Sequence, residues 1–455
     1  MHYTVSKILS LTILVLSAVY GYAQQSVSHP LTSYGIGDYQ LQDHGIYSAM
    51  GNTPIPFIDS AQLNFLNPAT YSALSNGNTL FSLGVNQRTS IFTQGSERLV
   101  RSTGNINHLV LGFKIKKRMG IALGFTPYAA KGYYLSEKIY TGYDSIKNSY
   151  EGSGYINRVF LGYAYAPIQT RNTFLSLGIN AGFLFGGMRD QRSSQLVQGT
   201  TVSGGLYRED LHVKALNLEI GIAYAQRIGN RYEIKLGGFY LPNSPLNGTF
   251  NQILYSASNL NAPSTYQALY SKDFTGQILQ GQRFSFGCLN QLNLRERSRN
   301  NKTNHPVLSL SLQYSLQSTN SYKFSGSIYD SIQHSSGATQ LLNVGMEYRP
   351  ERFLFENLSS LGFFDKFAYR IGAYYGMLPY YDNNGSPFKA RGLTVGIGIP
   401  LLAQQSLSSI NFSCIIGQRG TFKESSIMEK FVTIQLGAVL APAGFERWFR
   451  KRKMD

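Results

Sequence analysis

The sequence is poor in charged residues and in cysteine. Asp, Glu, Lys and Arg make up 14% of its 455 residues, whereas soluble proteins carry about 25%. So small a charged fraction argues against a soluble globular domain, whose surface is mostly polar and charged. The two cysteines, Cys288 and Cys414, lie too far apart in the sequence to make a disulfide framework. We therefore expect both to be ordinary packing residues.

Long apolar stretches are missing after the N-terminus. Residues 1–23 have the form of a secretory signal peptide, with Lys7 before a short apolar core and a small-residue cleavage site at Gly21-Tyr22-Ala23. That core is shorter than the roughly 20 residues that a membrane-spanning helix requires. No later stretch approaches this length, so the sequence predicts a mature chain without a helical membrane anchor.

Motifs for catalysis, metal binding and phosphate binding are also lacking. None of the seven histidines forms a close pair with metal-ligand spacing, and no spacing of Ser, His and Asp indicates a triad. The Gly-x-Gly sequences at Gly35-Ile36-Gly37 and Gly396-Ile397-Gly398 do not open a helix, as a phosphate-binding loop would. The sequence therefore predicts a protein that is not an enzyme and has neither a metal site nor a cofactor.

Positive charge exceeds negative charge, with 41 Lys and Arg against 24 Asp and Glu. The basic residues recur in short segments, such as Lys116-Lys117-Arg118 and the tail Arg447 to Lys453, and do not form one stripe. This distribution argues against a nucleic-acid partner. It fits basic groups that contact anionic outer-membrane lipid, including lipopolysaccharide, and equally a basic rim that only meets water.

The sequence does contain many aromatic residues, much glycine and a period-two pattern of hydrophobicity. It has 32 Tyr, 27 Phe and 46 Gly. Across Val307 to Leu316, apolar residues such as Leu310 alternate with polar residues such as Ser311, so one face of a strand is apolar and the other polar. About fourteen such segments, each of roughly ten residues, follow Thr79. The pattern is typical of strands that face lipid on one side and water on the other.

An open sheet cannot lie in a bilayer, because each unpaired backbone group in hydrocarbon costs several kcal/mol. The sequence therefore predicts an all-β fold, a closed antiparallel transmembrane β-barrel of about 14 strands in the bacterial outer membrane. A soluble β-sandwich is the competing fold, but it would need more charged surface and a more compact length. Short turns are predicted at one end of the barrel, and long outer loops, such as 128–154, 186–212 and 242–282, at the other. Together with an even strand number, this asymmetry indicates that both termini are periplasmic.

The segment before the first strand carries a family resemblance. Residues 24–78 are rich in Pro, Asn and Ser and show little alternation. Within them, Ala49-Met50-Gly51, Asp59-Ser60-Ala61 and Asn67-Pro68-Ala69 lead directly to the first strand at Thr79. This order resembles the N-terminal hatch of FadL-type outer-membrane transport proteins.

Two further segments, residues 30–38 and 448–453, are similar to segments of FadL-type members from the Bacteroidetes. The resemblance implies that the hatch plugs the lumen of a fourteen-stranded barrel. Pro54 and Pro56 replace small residues usual in the family and stiffen the hatch. The predicted parts are a signal peptide at 1–23, the hatch at 24–78, the barrel at 79–440 and a basic periplasmic tail at 441–455.

Charged residues on the polar faces of strands are predicted to point into the lumen. By strand parity these residues are Lys114, Arg158, Glu219, Lys235 and Arg370. Two interpretations stay open. In the first interpretation, the cations pair with acids of the hatch such as Asp38, Asp43 and Asp59, because confined charges are usually paired. Alternatively, the three residues Arg158, Lys235 and Arg370 bind the carboxylate of a ligand.

The resemblance also implies that hydrophobic cargo leaves sideways through a gap at the third strand. Here that strand is expected over Gly120 to Pro127. Proline cannot donate to the ladder, so Pro127 marks an edge, a bulge or a strand end. We interpret Pro127 as a candidate lateral gate, and a strand that simply ends there is the alternative.

The function implied by the resemblance is an outer-membrane channel for uptake of a hydrophobic small molecule, such as a long-chain fatty acid. The alternative is a non-transporting FadL-like subunit of the type 9 secretion translocon, which acts as a plug or as a cargo shuttle. A lumen pocket of roughly 300 Å³ or more would favour a transporter. A packed, dry hatch would favour the translocon subunit and a protein partner.

Overall fold

The computed structural model describes most of the chain from residue 45 onward. The described residues are 32, 36–39, 45–75, 79–140, 142, 144–198, 201–294, 303–304, 306–318, 321–324, 337–350, 352–353, 364–381, 387–401, 408–420 and 427–441. The predicted signal peptide, Asp43 and the basic tail after Ala441 lie outside the described residues.

Fourteen antiparallel strands form one sheet that closes into a barrel. In chain order they are β1 Thr79–Gln94, β2 Glu97–Lys116, β3 Met119–Tyr140, β4 Ser145–Gln169, β5 Thr173–Gln198, β6 Thr201–Ile228, β7 Tyr232–Leu241 continued by Ser244–Ala257, β8 Tyr266–Gln280 continued by Arg283–Asn293, β9 Val307–Gln317 continued by Ser321–Phe324, β10 Thr339–Arg349, β11 Ala368–Tyr381, β12 Pro387–Pro400, β13 Ser409–Gly420 and β14 Met428–Leu440. The ring closes because β1 pairs with β14, from Phe81 opposite Leu440 to Thr93 opposite Met428. The predicted barrel is confirmed, and every predicted segment falls on one of these strands.

Short elements accompany the ring. They are the hatch strand Asp38–Tyr39, the 3-10 helices Ser48–Met50, Pro68–Ala73, Pro263–Thr265 and Phe364–Lys366, and the paired segments Thr303–Asn304 and Arg352–Phe353. Within the described part of the chain, no helix is both long and apolar enough to cross a membrane. We call the barrel end where β1 begins and β14 ends the base, and the opposite end the rim.

Near the rim the strands are longer than the sequence pattern predicts. The segments 128–154, 186–212 and 242–282, expected to be loops, instead extend the strands from β3 to β8. Residues 134–140 of β3 are exposed on both faces. Where both faces meet water, polar residues occupy both and no period-two signal marks the strand.

The outside of the barrel is apolar and the inside is polar. On β9, Leu310 and Leu312 are 50% and 51% exposed, whereas Ser309 and Ser311 are 0% and 3% exposed. A soluble sheet would bury the leucine face, so this surface is the one that meets lipid. Cys288 on β8 and Cys414 on β13 are free thiols.

The hatch residues 45–75 lie inside the barrel and brace opposite walls. The helix Ser48–Met50 contacts β10 to β13, and the helix Pro68–Ala73 contacts β2 to β6. Tyr47, Phe65 and Tyr71 of the hatch are fully buried. Packing at this density makes the hatch part of the core of the molecule.

Glycines of the wall let the hatch backbone approach the strands. A Cβ on Gly178 of β5 would lie 2.4 Å from Ala69 N, and a Cβ on Gly372 of β11 would lie 2.2 Å from Gly51 N. Both collisions involve backbone atoms, which cannot move aside as a flexible side chain can. These glycines therefore fix how closely the hatch and the wall fit.

We expect Gly178→Ala to lower the stability of the barrel by about 1–3 kcal/mol, because the added methyl overpacks the contact with the hatch. Gly104→Ala is the matched control, since a Cβ on Gly104 meets nothing nearer than Asn86 O at 3.7 Å. Urea titration of the purified protein, followed by its gel mobility, measures the difference. Equal losses in both variants would contradict a tight fit at Gly178.

Candidate functional site

The motif Asn67-Pro68-Ala69 begins the second helix of the hatch and ties it to the wall. Asn67 Oδ1 accepts a hydrogen bond from the Ala69 N–H at 3.2 Å, which caps the helix. Asn67 Nδ2 donates to Ile55 O at 2.8 Å within the hatch and to Ile222 O of β6 at 3.2 Å. The motif therefore positions the hatch in the lumen.

Asp59 connects the hatch to charged residues near the base. Its Oδ1 accepts a hydrogen bond from the Ala61 N–H at 2.9 Å, and its Oδ2 lies 3.7 Å from Arg349 Nη1 of β10. Arg349 Nε also lies 3.0 Å from Glu347 Oε1, and Glu347 Oε2 accepts from Arg370 Nε at 2.7 Å. Arg370, predicted to point into the lumen, is thus held by an acid of the neighbouring strand.

Arg158 of β4 and Glu219 of β6 form a second buried ion pair across the intervening strand. Asn180 Nδ2 of β5 donates to Glu219 Oε2 at 3.0 Å, and the Tyr71 hydroxyl of the hatch donates to Asn180 Oδ1 at 3.0 Å. Burial raises the pKa of Tyr71 above its usual range, so its hydroxyl stays a donor. This network joins the hatch to three strands.

The remaining predicted lumen residues have different surroundings. Lys235 is buried, and its Nζ donates to Ile58 O of the hatch at 2.8 Å. Lys114 is half-buried near the base end of β2. Asp38 of the hatch lies 2.6 Å from Arg419 Nη1 of β13, a cation that the sequence analysis did not single out. Arg158, Lys235 and Arg370 are therefore engaged by the protein itself.

A cavity of about 330 Å³ lies between the hatch and the part of the barrel wall nearer the rim. Its apolar lining includes Ile36, Tyr39 and Ile55 of the hatch and Tyr128 and Phe239 of the wall. Such a volume falls within the range of small-molecule sites, about 300–1,000 Å³. Among the described residues, no group of three His, Cys, Asp or Glu is placed to hold a metal ion.

Arg283 of β8 supplies a cation to this cavity. Its guanidinium lies over the Phe239 ring, 5.0 Å from the ring centroid. Beside it, the Tyr128 hydroxyl and Gln280 Oε1 are buried, neighbour each other and make no hydrogen bond of normal length to a described residue. Buried polar atoms without partners are rare in proteins. Together the three side chains form a polar pocket that suits an anionic or hydrogen-bonding head group.

The barrel wall opens between β2 and β3. Their pairing runs from the base only as far as Leu109 opposite Phe125. Beyond that point, the described pairings of β2 are with β1, and β3 pairs with β4 on its other side up to Tyr140. Among the described residues, β2 and β3 therefore do not pair with each other at the rim end of this seam.

The N-terminal part of the hatch lies on one of these edges. Tyr39 and Asp38 pair with Ala129 and Ala130 of β3, and Thr32 Oγ1 both accepts from Gly132 N at 3.1 Å and donates to Gly132 O at 3.0 Å. The cavity reaches this seam, because Thr103 and Asn105 of β2 line it together with residues 36–39 of the hatch. The hatch strand thus stands between the cavity and the outside.

Pro127 marks the level of the opening. The strand does not end there, as the alternative interpretation had it, but continues to Tyr140. The register toward β4 shifts between Pro127 and Ala129, which makes Tyr128 a bulge. Bulges bend a strand and re-aim its side chains, and here the bulged Tyr128 lines the cavity.

These features define a transmembrane β-barrel of FadL-like architecture with a hatch inside its lumen. Three solved structures are similar to this chain over nearly their whole length. A FadL homologue of Pseudomonas aeruginosa is 13% identical over 88% of this chain and 99% of its own, with a TM-score of 0.54. The toluene transporter TbuX of Ralstonia pickettii is 14% identical (88% and 98%, TM-score 0.52), and the toluene transporter TodX of Pseudomonas putida is 13% identical (89% and 98%, TM-score 0.51).

The family itself is shown by sequence. A family model described as BamG matches residues 5–455, so this chain belongs to the BamG family. Among curated proteins, none matches the sequence. The FadL-like resemblance is thus confirmed for the fold.

Sequence reasoning missed the polar pocket of Arg283, Tyr128 and Gln280. Tyr128 and Gln280 fall in segments predicted to be loops, and Arg283 opens a strand whose Phe284 and Phe286 face outward. The one available signal was an arginine on the face opposite outward-facing aromatics, one residue from Phe284 and three from Phe286. It does not indicate that β7 brings Phe239 under the guanidinium.

We expect Glu219→Gln to destabilise the barrel by about 3–5 kcal/mol, because Arg158 is left as an uncompensated buried charge. The matched control is Arg189→Gln, which breaks the ion pair between Arg189 and Asp210. The Arg189 side chain is 47% exposed, so we expect this variant to lose less than about 1 kcal/mol of stability. Thermal unfolding in detergent measures both. Similar losses in both variants would show that the lumen pair is no more important than a surface one.

Proposed function

We propose that this protein is an outer-membrane channel that takes a hydrophobic small molecule with an acidic head group into its lumen and releases it sideways through the opening between β2 and β3. The observation that carries the proposal is the continuity of the lumen cavity with that opening. A long-chain fatty acid or a compound of similar chemistry is the proposed cargo. The proposed orientation places both termini in the periplasm.

The cavity can hold the cargo in two parts. Ile36, Ile55 and Phe239 offer apolar surface to a hydrocarbon tail, and burial of apolar area contributes about 25 cal/mol per Å². Arg283 faces the same cavity and offers the head group a charge-assisted hydrogen bond, worth about 1.5–3 kcal/mol. Of the other arginines that line the cavity, Arg88, Arg158 and Arg419 are in ion pairs and Arg101 is an exposed residue of β2, so Arg283 is the proposed head-group residue.

Sideways release is favoured because the hatch closes the lumen toward the base more firmly than it covers the seam between β2 and β3. The hatch residues 45–75 pack against the wall around most of the ring, so a path straight to the base would require that core to unpack. At the seam, by contrast, the described contacts with the edge of β3 are those of the short hatch strand and the hydrogen bonds of Thr32. A short strand opens at lower cost than a packed core.

The similar structures support the class of cargo. Two of them are described as toluene transporters, which are channels for a hydrophobic compound. Their identity to this chain is low, so the support concerns the architecture that such transport uses. The head-group pocket suggests a cargo that is more polar at one end than toluene.

We expect Arg283→Gln to weaken binding of a dansyl-labelled long-chain fatty acid about tenfold, because one charge-assisted hydrogen bond to the carboxylate is lost. The dansyl fluorescence of the purified protein during titration gives the Kd. Lys138→Gln, at an exposed lysine of β3 outside the cavity, is the control and should leave the Kd unchanged. A fatty alcohol should bind both variants equally; loss of alcohol binding as well would contradict a head-group role.

We expect a disulfide between Tyr39→Cys and Ala129→Cys to abolish fatty-acid uptake into liposomes, because it fastens the hatch strand to β3. The two positions are directly opposite each other, within the Cα separation that a disulfide tolerates. Cys288 and Cys414 are replaced by Ala beforehand. Uptake should return on reduction.

The control disulfide joins Ser136→Cys and Ser149→Cys, which face each other on β3 and β4 away from the hatch. It should not change uptake. If the Tyr39–Ala129 disulfide leaves uptake intact while the control behaves as expected, the proposed exit is wrong.

A non-transporting subunit of the type 9 secretion translocon, acting as plug or shuttle, is the second candidate. The closely packed hatch with its network of hydrogen bonds favours a permanent plug. In that case the natively purified protein carries a very large partner barrel, and the labelled fatty acid neither binds nor crosses. Binding without such a partner excludes this candidate.

A further inference from the structure

A second concavity, of about 550 Å³, lies on the outer wall of the barrel and plays no part in the proposed transport. It crosses β11, β12, β13, β14 and β1 on the side of the molecule that meets lipid. Its outward-facing lining includes Leu393, Ile416 and Val432, which are 66%, 59% and 40% exposed. We call it the outer groove.

Strand register places two rows of side chains in the outer groove. In the row nearer the rim, Arg391 is opposite Gln418, and Gln418 is opposite Lys430. Neighbouring strands are about 4.8 Å apart, so the backbones of Arg391 and Lys430 lie roughly 10 Å apart with one amide side chain between them. Both side chains are long enough to meet over that amide.

The same row fixes the direction of the arginine. Arg391 Nη2 donates to Gln418 Oε1 at 3.0 Å, so the guanidinium extends along the row toward Lys430. Tyr375 stands opposite Arg391 on β11, and Ile91 stands opposite Lys430 on β1. The row therefore carries two positive charges and no acidic residue. An aromatic residue beside cations is typical of the level where lipid head groups begin.

The second row lies two residues closer to the base and is apolar. Leu393, Ile416 and Val432 stand side by side on β12, β13 and β14. Two smaller side chains flank this row, Ala373 on β11 and Thr89 on β1. The outer surface of the barrel is therefore less raised at the two ends of the row. An acyl chain that lies on this row has its head group at the level of Arg391 and Lys430.

The floor of the outer groove is backed from inside the barrel. A Cβ on Gly417 would lie 2.4 Å from the Phe431 ring, and a Cβ on Gly392 would lie 2.6 Å from the Tyr374 hydroxyl oxygen. Both aromatic side chains thus press against the backbone of β12 and β13. The two rings therefore support the floor of the outer groove from the lumen side.

We propose that the outer groove binds one phosphorylated lipid of the rim-side membrane leaflet. Its phosphate lies between Arg391 and Lys430, and its acyl chain lies over Leu393, Ile416 and Val432. A phosphomonoester, with nearly two negative charges, complements the two cations, whereas a zwitterionic head group brings its own positive charge into the row. Two cations near a membrane surface contribute about 1 kcal/mol each toward an anionic lipid.

Native mass spectrometry of the full-length protein in detergent tests the proposal, with phosphatidic acid and phosphatidylcholine as probes. We expect one phosphatidic acid to bind in preference to phosphatidylcholine. The double variant Arg391→Gln/Lys430→Gln should weaken phosphatidic acid binding roughly tenfold to thirtyfold and leave phosphatidylcholine binding unchanged. The swapped variant Arg391→Lys/Lys430→Arg keeps both charges and should bind as the natural protein does.

Lys138→Gln removes an exposed lysine elsewhere on the wall and should have no effect. The dansyl-labelled fatty acid should bind the double variant normally, which separates this site from the lumen. Equal binding of both lipids, an unchanged affinity in the double variant, or displacement of the lipid by inorganic phosphate at equal concentration would each overturn the proposal. If the double variant does not fold, failure of the swapped variant to retain the preference overturns it as well.

Discussion

The structure depends on the pairing of backbone hydrogen-bonding groups where no water can reach them. In hydrocarbon each unpaired N–H or C=O costs several kcal/mol, so the sheet has to close, and β1 meets β14 over thirteen opposed positions from Phe81 to Thr93. The same constraint gives meaning to the seam between β2 and β3. Within the described part of the chain their pairing stops at Leu109 and Phe125, and a strand of the hatch lies on the edge of β3 beyond that point.

Closure of the ring creates a lumen, and filling it creates the second layer of the structure. The hatch could not pack so closely against a wall with ordinary side chains, which is why glycines such as Gly178 and Gly372 stand where its backbone touches the strands. Polar and charged wall residues then become buried under it. The charged ones named above are tolerated because they find partners, as Arg158 finds Glu219 and Lys235 finds the Ile58 carbonyl.

This pairing separates two kinds of lumen cation. Those engaged by acids or by the hatch serve the architecture, whereas Arg283 rests on an aromatic ring and faces the cavity. A ligand that competes for an engaged cation has to break an existing ion pair, and a ligand that meets Arg283 does not. The outer groove follows the same logic on the lipid side, where Arg391 and Lys430 border apolar surface at the level of head groups.

The sequence by itself determined the barrel, its fourteen strands within the membrane and the inward direction of Arg158, Glu219, Lys235 and Arg370. Each of these follows from a local rule, because side chains alternate along a strand and lipid demands an apolar face on every second one. It did not determine the strand extensions near the rim, where water on both faces removes that alternation.

Only the tertiary structure decided which lumen charges pair, where the pairing of β2 with β3 stops and which cations face the cavity. Arg158 and Glu219 are on strands separated by a third, and Arg283 meets Phe239 through a register that no local pattern encodes. Such contacts depend on how strands far apart in the chain align and on how the hatch settles among them. Parity fixes the direction of a side chain, but its partner is fixed only when the ring has closed.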